Sequence, residues 1–408
     1  MKVAIFVSSF PSISETFVLN HIVDLISRGH HVDIHAANRG SATDLPPDVK
    51  KLRLIERAFF SPSIPNNVCL RWLKLMVIAG RHYLHRPVMA FRLAHPRRRC
   101  AGTSNLLFRA TTCLHRPEYD IIHAHFGPNG ALAAELKSLG LLSGAVVTTF
   151  HGYDLTSYVA TRNQAVYARL FRYGSSMLPV SDLWAARLIE LGCAAKKVKV
   201  HRMGIDLKRF IHRKRQLPVG RGMVLLSVAR LVEKKGLEYA IRAVGLLREN
   251  GLRVRYGIVG DGAMRKALQG LVDELDLGSV VSLSGALGSE EVAGHLDRAD
   301  ILLVPSVTAR TGDKEGIPVV IMEALACGLP VIATNHSGIP EIVEHGRTGL
   351  LVPERDAEAL ASTIQHLASS PELYERISVA GRTRVETEYN NNVLGEQLMD
   401  LYSSIIVV

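Results

Sequence analysis

The sequence predicts an α/β protein built from two doubly wound parallel sheets in series. Short apolar runs alternate with stretches of helical periodicity along almost the whole chain, which is the pattern of successive β-α-β units. A polar, basic stretch at 204–222 interrupts the alternation, which restarts with the apolar run at 223–230. Because 408 residues suffice for two such domains, we expect a ligand cleft between the carboxyl ends of two sheets.

In the first half, apolar runs bounded by turn residues predict six strands. They span residues 2–8, 31–36, 121–125, 146–150, 177–179 and 198–201. Between them, helical spacing predicts one helix that stops at Gly29 and another over 128–140. Ser181 and Asp182 precede a further helical run, and their side chains are suited to cap it.

The second half repeats this pattern, beginning with a strand in the run 223–230. Further strands are predicted at 255–259, 280–284, 301–304, 331–334 and 350–351. Helices are predicted at about 236–250, 263–275, 289–298 and 318–327, and two more close the chain at about 356–369 and 371–405. We therefore predict domains at 1–207 and 208–385, with a C-terminal helix at about 386–408 packing back on the first domain.

Composition places the chain among soluble proteins rather than membrane-spanning ones. Hydrophobic residues make up 47% and charged residues 21%, and no segment reaches the roughly 18 apolar residues of a membrane span. The apolar start of the chain is too short for a signal peptide, so it is interpreted as a buried strand. The five cysteines are scattered without metal or disulfide spacing, which favours a reducing, cytoplasmic setting.

The net charge of +11 is concentrated in the first half. Residues 1–200 carry 25 Lys and Arg against 12 Asp and Glu, whereas residues 201–408 carry 24 against 26. Segment 51–100 alone has 11 basic residues and one acidic residue, Glu56, interleaved with bulky apolar side chains. This composition favours a helix lying on an anionic membrane surface. The alternatives are a solvated helical pair and nucleic-acid binding, and we expect no nucleic-acid partner.

Two glutamates at a predicted loop-to-helix junction are the strongest candidates for a ligand site. Glu315 lies in a polar loop, Pro318 can start the following helix, and Gly328 can end it, which places Glu323 inside that helix. The backbone N–H groups of a helix N-terminus attract an anion such as a diphosphate, and carboxylates accept hydrogen bonds from sugar hydroxyls. The alternative is a buried turn with Glu323 on the surface.

A second candidate site follows the first strand of the second domain. Arg230 and Lys235 stand five residues apart where the chain leaves the strand, and together they can neutralise a diphosphate. An ordinary solvated loop is the alternative. Gly260 and Gly262 follow the next strand, but Arg265 replaces the third glycine of a dinucleotide fingerprint. We therefore interpret this pair as a tight turn bordering a nucleotide, and not as an NAD site.

Histidines mark two strand ends in the first domain. His123 and His125 are two residues apart in a predicted strand, so both point to one side. His151 follows the next strand, with Asp154 close behind it. A histidine on an apolar strand is often a structural residue, but two strand ends that deliver imidazoles to one cleft edge favour a functional role.

These segments resemble the retaining nucleotide-sugar glycosyltransferases of the family-4 type, which have the GT-B fold of two Rossmann-like domains. Glu315 and Glu323 match their Glu-x7-Glu motif, and the likeness continues through residue 353. The resemblance implies that Arg230 and Lys235 hold the donor pyrophosphate. It further implies a donor site in the second domain that includes Gly260, Gly262, Glu315, Gly316, Ile317, Pro318 and Glu323.

The same resemblance implies that the first domain binds the acceptor. It implies that His125 lies beside the sugar anomeric centre and that His151 lines the same pocket, with His123 and Asp154 on the acceptor side. The loop after the first strand departs from the common pattern. There the family has two adjacent glycines, and this chain has Ser14, Glu15 and Thr16, as in a subgroup that builds colanic-acid-like exopolysaccharides. The resemblance is weakest at 40–115.

The predicted reaction is therefore transfer of a hexose from a nucleotide-diphospho-sugar with retention of configuration. The acceptor implied is a polyprenyl-diphosphate-linked oligosaccharide, used by a cytoplasmic enzyme that is peripheral at the inner face of the cell membrane. No D-x-D pair follows a predicted strand and no phosphate loop occurs, so we expect neither a metal nor a cofactor. The alternatives are an NAD-dependent two-domain oxidoreductase and a non-catalytic sugar- or membrane-binding scaffold.

Overall fold

The first half of the chain forms a six-stranded parallel sheet. The structure, a computed structural model, describes residues 1–12, 15–40, 47–78, 103–113 and 118–406. The strand order is β3-β2-β1-β4-β5-β6. The strands are β1 (Lys2–Phe10), β2 (His31–Arg39), β3 (Ala58–Phe60), β4 (Glu118–His125), β5 (Ser143–Phe150) and β6 (Ser176–Pro179).

The second half forms another parallel sheet of six strands, in the order β12-β11-β10-β7-β8-β9. The strands are β7 (Met223–Val228), β8 (Val254–Val259), β9 (Val281–Gly285), β10 (Ile301–Val304), β11 (Val331–Thr334) and β12 (Leu350–Val352). The prediction of two doubly wound parallel sheets is therefore confirmed.

Helices lie between the strands of both sheets. Those of the first half are α1 (Thr16–Ser27), α2 (Pro47–Lys51), α3 (Val68–Ile78), α4 (Thr103–Ala110), α5 (Gly127–Ser138), α6 (Ser157–Ala160), α7 (Ala168–Tyr173) and α8 (Asp182–Glu190). Those of the second half are α9 (Leu237–Glu249), α10 (Arg265–Glu274), α11 (Ser289–Arg298), α12 (Val319–Ala326), α13 (Ala357–Ala368), α14 (Pro371–Glu388) and α15 (Asn391–Ile406). Ser181 caps α8 as predicted, since its hydroxyl accepts the N–H of Trp184.

Both faces of the first sheet are covered, as strand β1 shows. Ala4 and Phe6 belong to one buried cluster, whereas Val3 and Ile5 belong to another that contains α1. Because successive side chains of a strand point to opposite faces, a strand buried on both faces reads as a continuous apolar run. This is why the start of the chain is uniformly apolar.

The strand predicted at 198–201 is absent, and a short strand, β3, was not predicted. Only Val198 bridges β6, through Met177, while the N–H groups of Lys199 and His201 donate to the backbone oxygens of Met177 and Pro179. The segment follows the edge of the sheet loosely because it then leaves the domain. Strand β3, at Ala58–Phe60, has three residues, too few for a periodicity signal.

The chain passes between the domains twice at one place. The helix predicted at 371–405 is in fact two helices, because Tyr389 and Asn390 separate α14 from α15. Ile205, in the first crossing, accepts the N–H of Asn391 and donates its own N–H to Tyr389 O at 2.9 Å. After this break α15 packs on the first domain, where Leu398 and Tyr402 join its core.

Candidate functional site

The two domains touch at a pair of glycines that follow strand β5 and the loop before α12. A Cβ atom on Gly316 would lie 2.6 Å from the carbonyl oxygen of His151, and one on Gly152 would lie 3.4 Å from Gly316 N. Gly152 also has a φ of 116°, which disfavours any side chain. This close backbone contact brings Glu315, predicted for the donor site of the second domain, beside His151, predicted to share a pocket with His125.

Glu315 is buried and paired with two lysines. Its side chain lies 3.0 Å from Lys235 Nζ and 3.6 Å from Lys234 Nζ. Burial opposes ionisation of the Glu315 carboxyl, but the two ammonium groups outweigh it and lower its pKa. The predicted cation and the predicted carboxylate are therefore in direct contact, and Lys234 is a partner that the sequence analysis missed.

The two predicted phosphate ligands have different surroundings. Lys235 ends a short 3₁₀ turn directly before α9, and its side chain is 15% exposed. Arg230 is exposed two residues beyond β7, and within the described part of the chain its guanidinium has no hydrogen-bond or ion-pair partner. Lys235 is thus fixed in place, whereas Arg230 is free to contact a ligand.

Gly260 and Gly262 allow two loops to pack closely. A Cβ atom on Gly260 would lie 1.8 Å from Ala229 O, and one on Gly262 would lie 2.5 Å from Leu231 O. Gly260 also has a φ of 140°. The G-x-G turn therefore supports the loop that carries Arg230, as a tight turn at a strand end would.

A hydrogen-bonded pair that the sequence analysis did not identify holds the Glu315 loop. His336 Nδ1 lies 2.6 Å from Glu354 Oε1, and its Nε2 lies 3.2 Å from the backbone N of Glu315. Because the Glu315 N–H donates, Nε2 is the acceptor and Nδ1 carries the proton that Glu354 accepts. The Ser337 hydroxyl also donates to Glu315 O at 2.6 Å. These residues lie 21 or more positions from Glu315 in the chain, so no local pattern indicates the contact.

Glu323 occupies a different environment from Glu315. Pro318 immediately precedes α12, which begins at Val319, and Glu323 lies half-buried one turn further on. Burial raises the pKa of the Glu323 carboxyl to about 7, although Arg209 opposes the shift. Ile317 is buried beneath the start of the helix.

On the first domain, histidines surround a cavity of about 70 Å³. His123 and His125 point to the same side of β4, as predicted, and are buried. His125 Nδ1 lies 3.3 Å from His151 Nε2, and its Nε2 lies 3.0 Å from Nδ1 of His21. Burial lowers the pKa of His151 to about 3 and that of His125 well below its usual value. These imidazoles are therefore neutral at physiological pH.

Asp154 anchors the loop that carries His151. Its fully buried carboxylate accepts the N–H groups of Gly127, His151 and Gly152 at 2.9–3.0 Å. Burial raises the pKa of Asp154 to about 6, against the effect of these amides. Both carboxylate oxygens are thus engaged with backbone groups of the first domain.

The loop after β1 is partly described. Ser14 lies outside the described residues. Glu15 precedes α1, which starts at Thr16, and burial raises the pKa of the Glu15 carboxyl. Its Oε2 atom is buried without a hydrogen-bond partner among the described residues. A carboxyl group therefore occupies the position where the resemblance would place a glycine.

Two Rossmann-like domains that meet at a cleft, with a lysine–glutamate pair on one edge and histidines on the other, define a GT-B glycosyltransferase. The sequence comparisons agree. The chain belongs to the group 1 and family 4 glycosyltransferases: residues 208–384 match "Glycosyl transferases group 1" and residues 14–209 match "Glycosyltransferase Family 4". The predicted family is confirmed, and the oxidoreductase alternative is wrong.

Two relatives match nearly the whole chain. It is 40% identical to the colanic acid biosynthesis glycosyltransferase WcaL of Salmonella typhimurium, over 99% of this chain and 100% of that protein. It is 38% identical to the amylovoran biosynthesis glycosyltransferase AmsK of Erwinia amylovora, over 98% and 99%.

Solved structures confirm the fold. HepE of Anabaena, determined with UDP and glucose, superposes with a TM-score of 0.70 at 19% identity, over 99% of this chain and 100% of that one. A sucrose-phosphate synthase from Thermosynechococcus elongatus superposes with a TM-score of 0.73 at 22% identity, over 100% and 99%.

Proposed function

We propose that this glycosyltransferase moves a hexose from a nucleotide-diphospho-sugar to a lipid-linked glycan during exopolysaccharide biosynthesis, with retention of configuration and without a metal. The observation that carries the proposal is the contact of Gly152 with Gly316. It sets the buried Lys235–Glu315 pair of one domain beside His151 of the other. Relatives about 40% identical are named for colanic acid and amylovoran biosynthesis.

The diphosphate of the donor would bind between Lys235, Arg230 and the start of α12. A lysine ammonium has three N–H donors, so Lys235 can keep its contact with Glu315 and still donate to a phosphate oxygen. Arg230 is exposed and supplies a guanidinium fork to the same group. The N-terminus of α12 adds an attractive field for negative charge, and the backbone N–H groups of Gly316 and Ile317 before it have no acceptor among the described residues.

The two glutamates would divide the rest of the donor between them. Glu315 stays ionised because of its lysines, and an ionised carboxylate accepts hydrogen bonds from sugar hydroxyls. Glu323 lies farther along α12, where it would contact the ribose of the nucleotide.

Retention would follow from attack on the face that the diphosphate leaves. The bond between the anomeric carbon and the phosphate oxygen breaks, and a bond to the acceptor oxygen forms on the same side. The proton of the acceptor hydroxyl passes to the departing phosphate oxygen. Cations fixed at that phosphate stabilise the charge as it develops, without reorganisation.

Helix α3 supports a membrane-bound acceptor. Leu70, Trp72, Leu73, Met76 and Val77 of this helix are each more than half exposed, and the helix also carries Arg71 and Lys74. Apolar side chains flanked by cations suit the surface of an anionic bilayer. The remainder of the basic segment, from residue 79 to 100, lies outside the described residues. No helix in the described part of the chain is long and apolar enough to cross a membrane.

The proposal can be tested with a panel of nucleotide-sugars. A donor that binds the native state raises the melting temperature by mass action, and the donor so identified is then used for transfer in excess EDTA. We expect transfer to persist in EDTA, and we expect the anomeric proton coupling of the product to match that of the donor. A product of the opposite configuration would contradict retention, and activity restored only by Mg²⁺ or Mn²⁺ would contradict metal independence.

Membrane association is tested by co-sedimentation with vesicles. We expect binding to anionic vesicles, a weaker but persistent signal at high salt, and none on neutral vesicles. Replacing Trp72 and Leu73 by Ser should reduce binding and spare donor hydrolysis. Val379→Ser is the matched control, because Val379 is equally apolar and 53% exposed on the second domain. Equal binding of all three proteins would favour a soluble acceptor.

A further inference from the structure

A continuous chain of hydrogen bonds crosses the first domain beneath the proposed site. It begins at the buried hydroxyl of Thr149, which lies 2.7 Å from one ring nitrogen of His123. Five hydrogen bonds join six side chains, two of which, His21 and Tyr402, come from helices α1 and α15. In order, the members are Thr149, His123, Tyr402, His21, His125 and His151.

The three inner imidazoles, His123, His21 and His125, each use both ring nitrogens. His123 bonds Thr149 through Nε2 and Tyr402 through Nδ1, and His21 bonds Tyr402 through Nε2 and His125 through Nδ1. A neutral imidazole has one donor and one acceptor, and a hydroxyl has one proton to donate. Among the described residues the Tyr402 hydroxyl proton has no acceptor other than the rings of His123 and His21, so Tyr402 donates to one ring and accepts from the other. All the bonds then run in the same direction, and the tautomer of one ring fixes the tautomer of the next.

The two ends of the chain decide its direction. If protons pointed from His151 toward Thr149, the Thr149 hydroxyl proton would lack an acceptor in the core, because Thr149 Oγ1 has no second partner among the described residues. In the opposite direction Thr149 donates to His123, and the last proton lies on His151 Nδ1, which is buried without a partner in the described part of the chain. A buried donor without an acceptor costs free energy, and only the His151 end lies beside Gly316, where a substrate can supply an acceptor.

We propose that Tyr402 and His21 are positioning residues that hold His125 and His151 in the Nδ1–H tautomer, so that His151 presents an N–H donor to an oxygen of the substrate. Because Tyr402 belongs to α15, the last helix of the chain sets the hydrogen-bonding polarity of the cleft. The tautomer assignment does not depend on the proposed function. The expected effect of the tautomer on turnover rests on the proposed function.

A metal ion is the rival explanation for this cluster. Ligand atoms of His21, His123 and His125 lie within 4.8 Å of one another, and three imidazoles can hold Zn²⁺. The hydrogen bonds already occupy every nitrogen of the three rings, so the cluster is complete without an ion. Elemental analysis of the purified protein distinguishes the two: one equivalent of zinc, lost in His21→Ala, would overturn the proposal.

Long-range ¹H–¹⁵N NMR of the full chain labelled in histidine reads the tautomers directly. We expect His125 and His151 each to show one protonated nitrogen, Nδ1, and we expect mixed tautomers in Tyr402→Phe. Tyr374→Phe is the matched control, because Tyr374 is a buried tyrosine whose hydroxyl donates to Asp300 O, at 2.8 Å, in the other domain. Unchanged His125 and His151 spectra in Tyr402→Phe would overturn the proposal.

Variants of His21 keep the test valid even if Tyr402→Phe fails to fold. The amide nitrogen of an asparagine lies near the position of Nδ1 of histidine, so His21→Asn should still donate to His125 and keep its tautomer. His21→Ala should lose it. We expect His21→Ala to lower kcat by roughly tenfold, the scale of one lost hydrogen bond, with a donor KM close to wild type. If His21→Asn and His21→Ala show the same histidine tautomers and the same kcat, His21 is not a positioning residue. If the NMR spectra show the expected tautomers but no nucleotide-sugar is ever transferred, the proposed function is wrong and the tautomer assignment is not.

Discussion

Polar groups are buried at both edges of the cleft, but they are stabilised by an ion pair on the second domain and by hydrogen bonds between neutral rings on the first. On the second domain, Glu315 and Lys235 remain ionised and neutralise each other at 3.0 Å. On the first domain, burial lowers the pKa of His125 and His151, so the rings stay neutral and are joined by hydrogen bonds. The charged side chains therefore lie on the second domain, where a diphosphate would bind, and the histidines of the opposite edge are uncharged.

This difference runs against the overall charge of the two halves. The first half of the chain carries the basic excess and the second half is close to neutral, yet the fixed cations of the cleft belong to the second. Net charge thus describes the outer surface, as at helix α3, and local pairing describes the site. The contrast can be tested by removing charge from one edge.

The largest expected effect comes from Lys235→Met, which removes a fixed cation and keeps most of the side-chain volume. We expect the transfer rate to fall by about 100- to 1000-fold, roughly 3–4 kcal/mol, as when one preorganised donor to a developing charge is lost. Arg230→Ala should behave similarly. Steady-state kinetics with the identified donor measures both, and the matched control is Lys266→Met, an exposed lysine on α10. Wild-type rates in Lys235→Met would show that Lys235 does not stabilise the charge on the leaving diphosphate.

Much of the second domain and of its site could be predicted from the sequence. Its strands and helices follow apolar periodicity, and helix α11 occupies the predicted residues 289–298. Arg230, Lys235 and Glu315 could be selected because loops at strand ends and helix N-termini are local features that motifs record. The resemblance supplied their roles.

The contacts that complete the site could not be predicted, because they join distant parts of the chain. Tyr402 lies 279 residues from His123 and still bonds it, and His336, two residues beyond β11, bonds the backbone of Glu315. No periodicity or spacing encodes such a pair. The break at Tyr389 was missed for the same reason, since its backbone oxygen accepts the N–H of Ile205 from the other domain crossing.

Glu315→Gln sharpens the comparison through stability. The pKa of Glu315 is lowered in the folded protein, so its ionised form stabilises the fold above the unfolded pKa, and this contribution is lost as the pH falls through the folded value. At pH 7 we expect the variant to be destabilised by about 1–3 kcal/mol, because the partly buried Lys235 loses its carboxylate partner, whereas Lys234 keeps Asp313. Thermal melts from pH 7 down to pH 3 should converge with those of wild type at the acid end. A constant difference across that range would contradict the ion-pair explanation.

Glu323→Gln should show the opposite pH dependence. Burial raises the pKa of Glu323 to about 7, so its protonated form suits the fold, and stability is lost as the pH rises through that value. We expect the variant to melt a few degrees higher than wild type at pH 8 and at the same temperature at pH 4. Melts of both proteins without ligand measure this, and equal curves at pH 8 would show that Glu323 ionises without cost.

The smallest expected effect concerns Glu341, a residue of the second domain that caps a helix of the first. Its carboxylate accepts the N–H groups of Asp182 and Leu183 at the start of α8, at 2.9 and 3.0 Å. Arg202, beside the domain crossing, lies 3.5 Å from the same carboxylate. A carboxylate at a helix N-terminus is stabilising through both its hydrogen bonds and the helix dipole. This bond therefore favours the domain arrangement in which the two edges face each other.

Glu341→Ala should weaken the closed arrangement by about 1 kcal/mol, the usual contribution of a helix cap, without unfolding α8. The helix keeps its own cap, because the Ser181 hydroxyl accepts the N–H of Trp184 within the first domain. Ser181→Ala is therefore the matched control: it removes a cap from the same helix end but no contact between domains. Small-angle X-ray scattering should show a larger radius of gyration for Glu341→Ala, reversed by the identified donor, and no change for Ser181→Ala. Equal expansion in both variants would mean that the domain arrangement depends on the intact N-terminus of α8, and not on the bond from Glu341 across the domains.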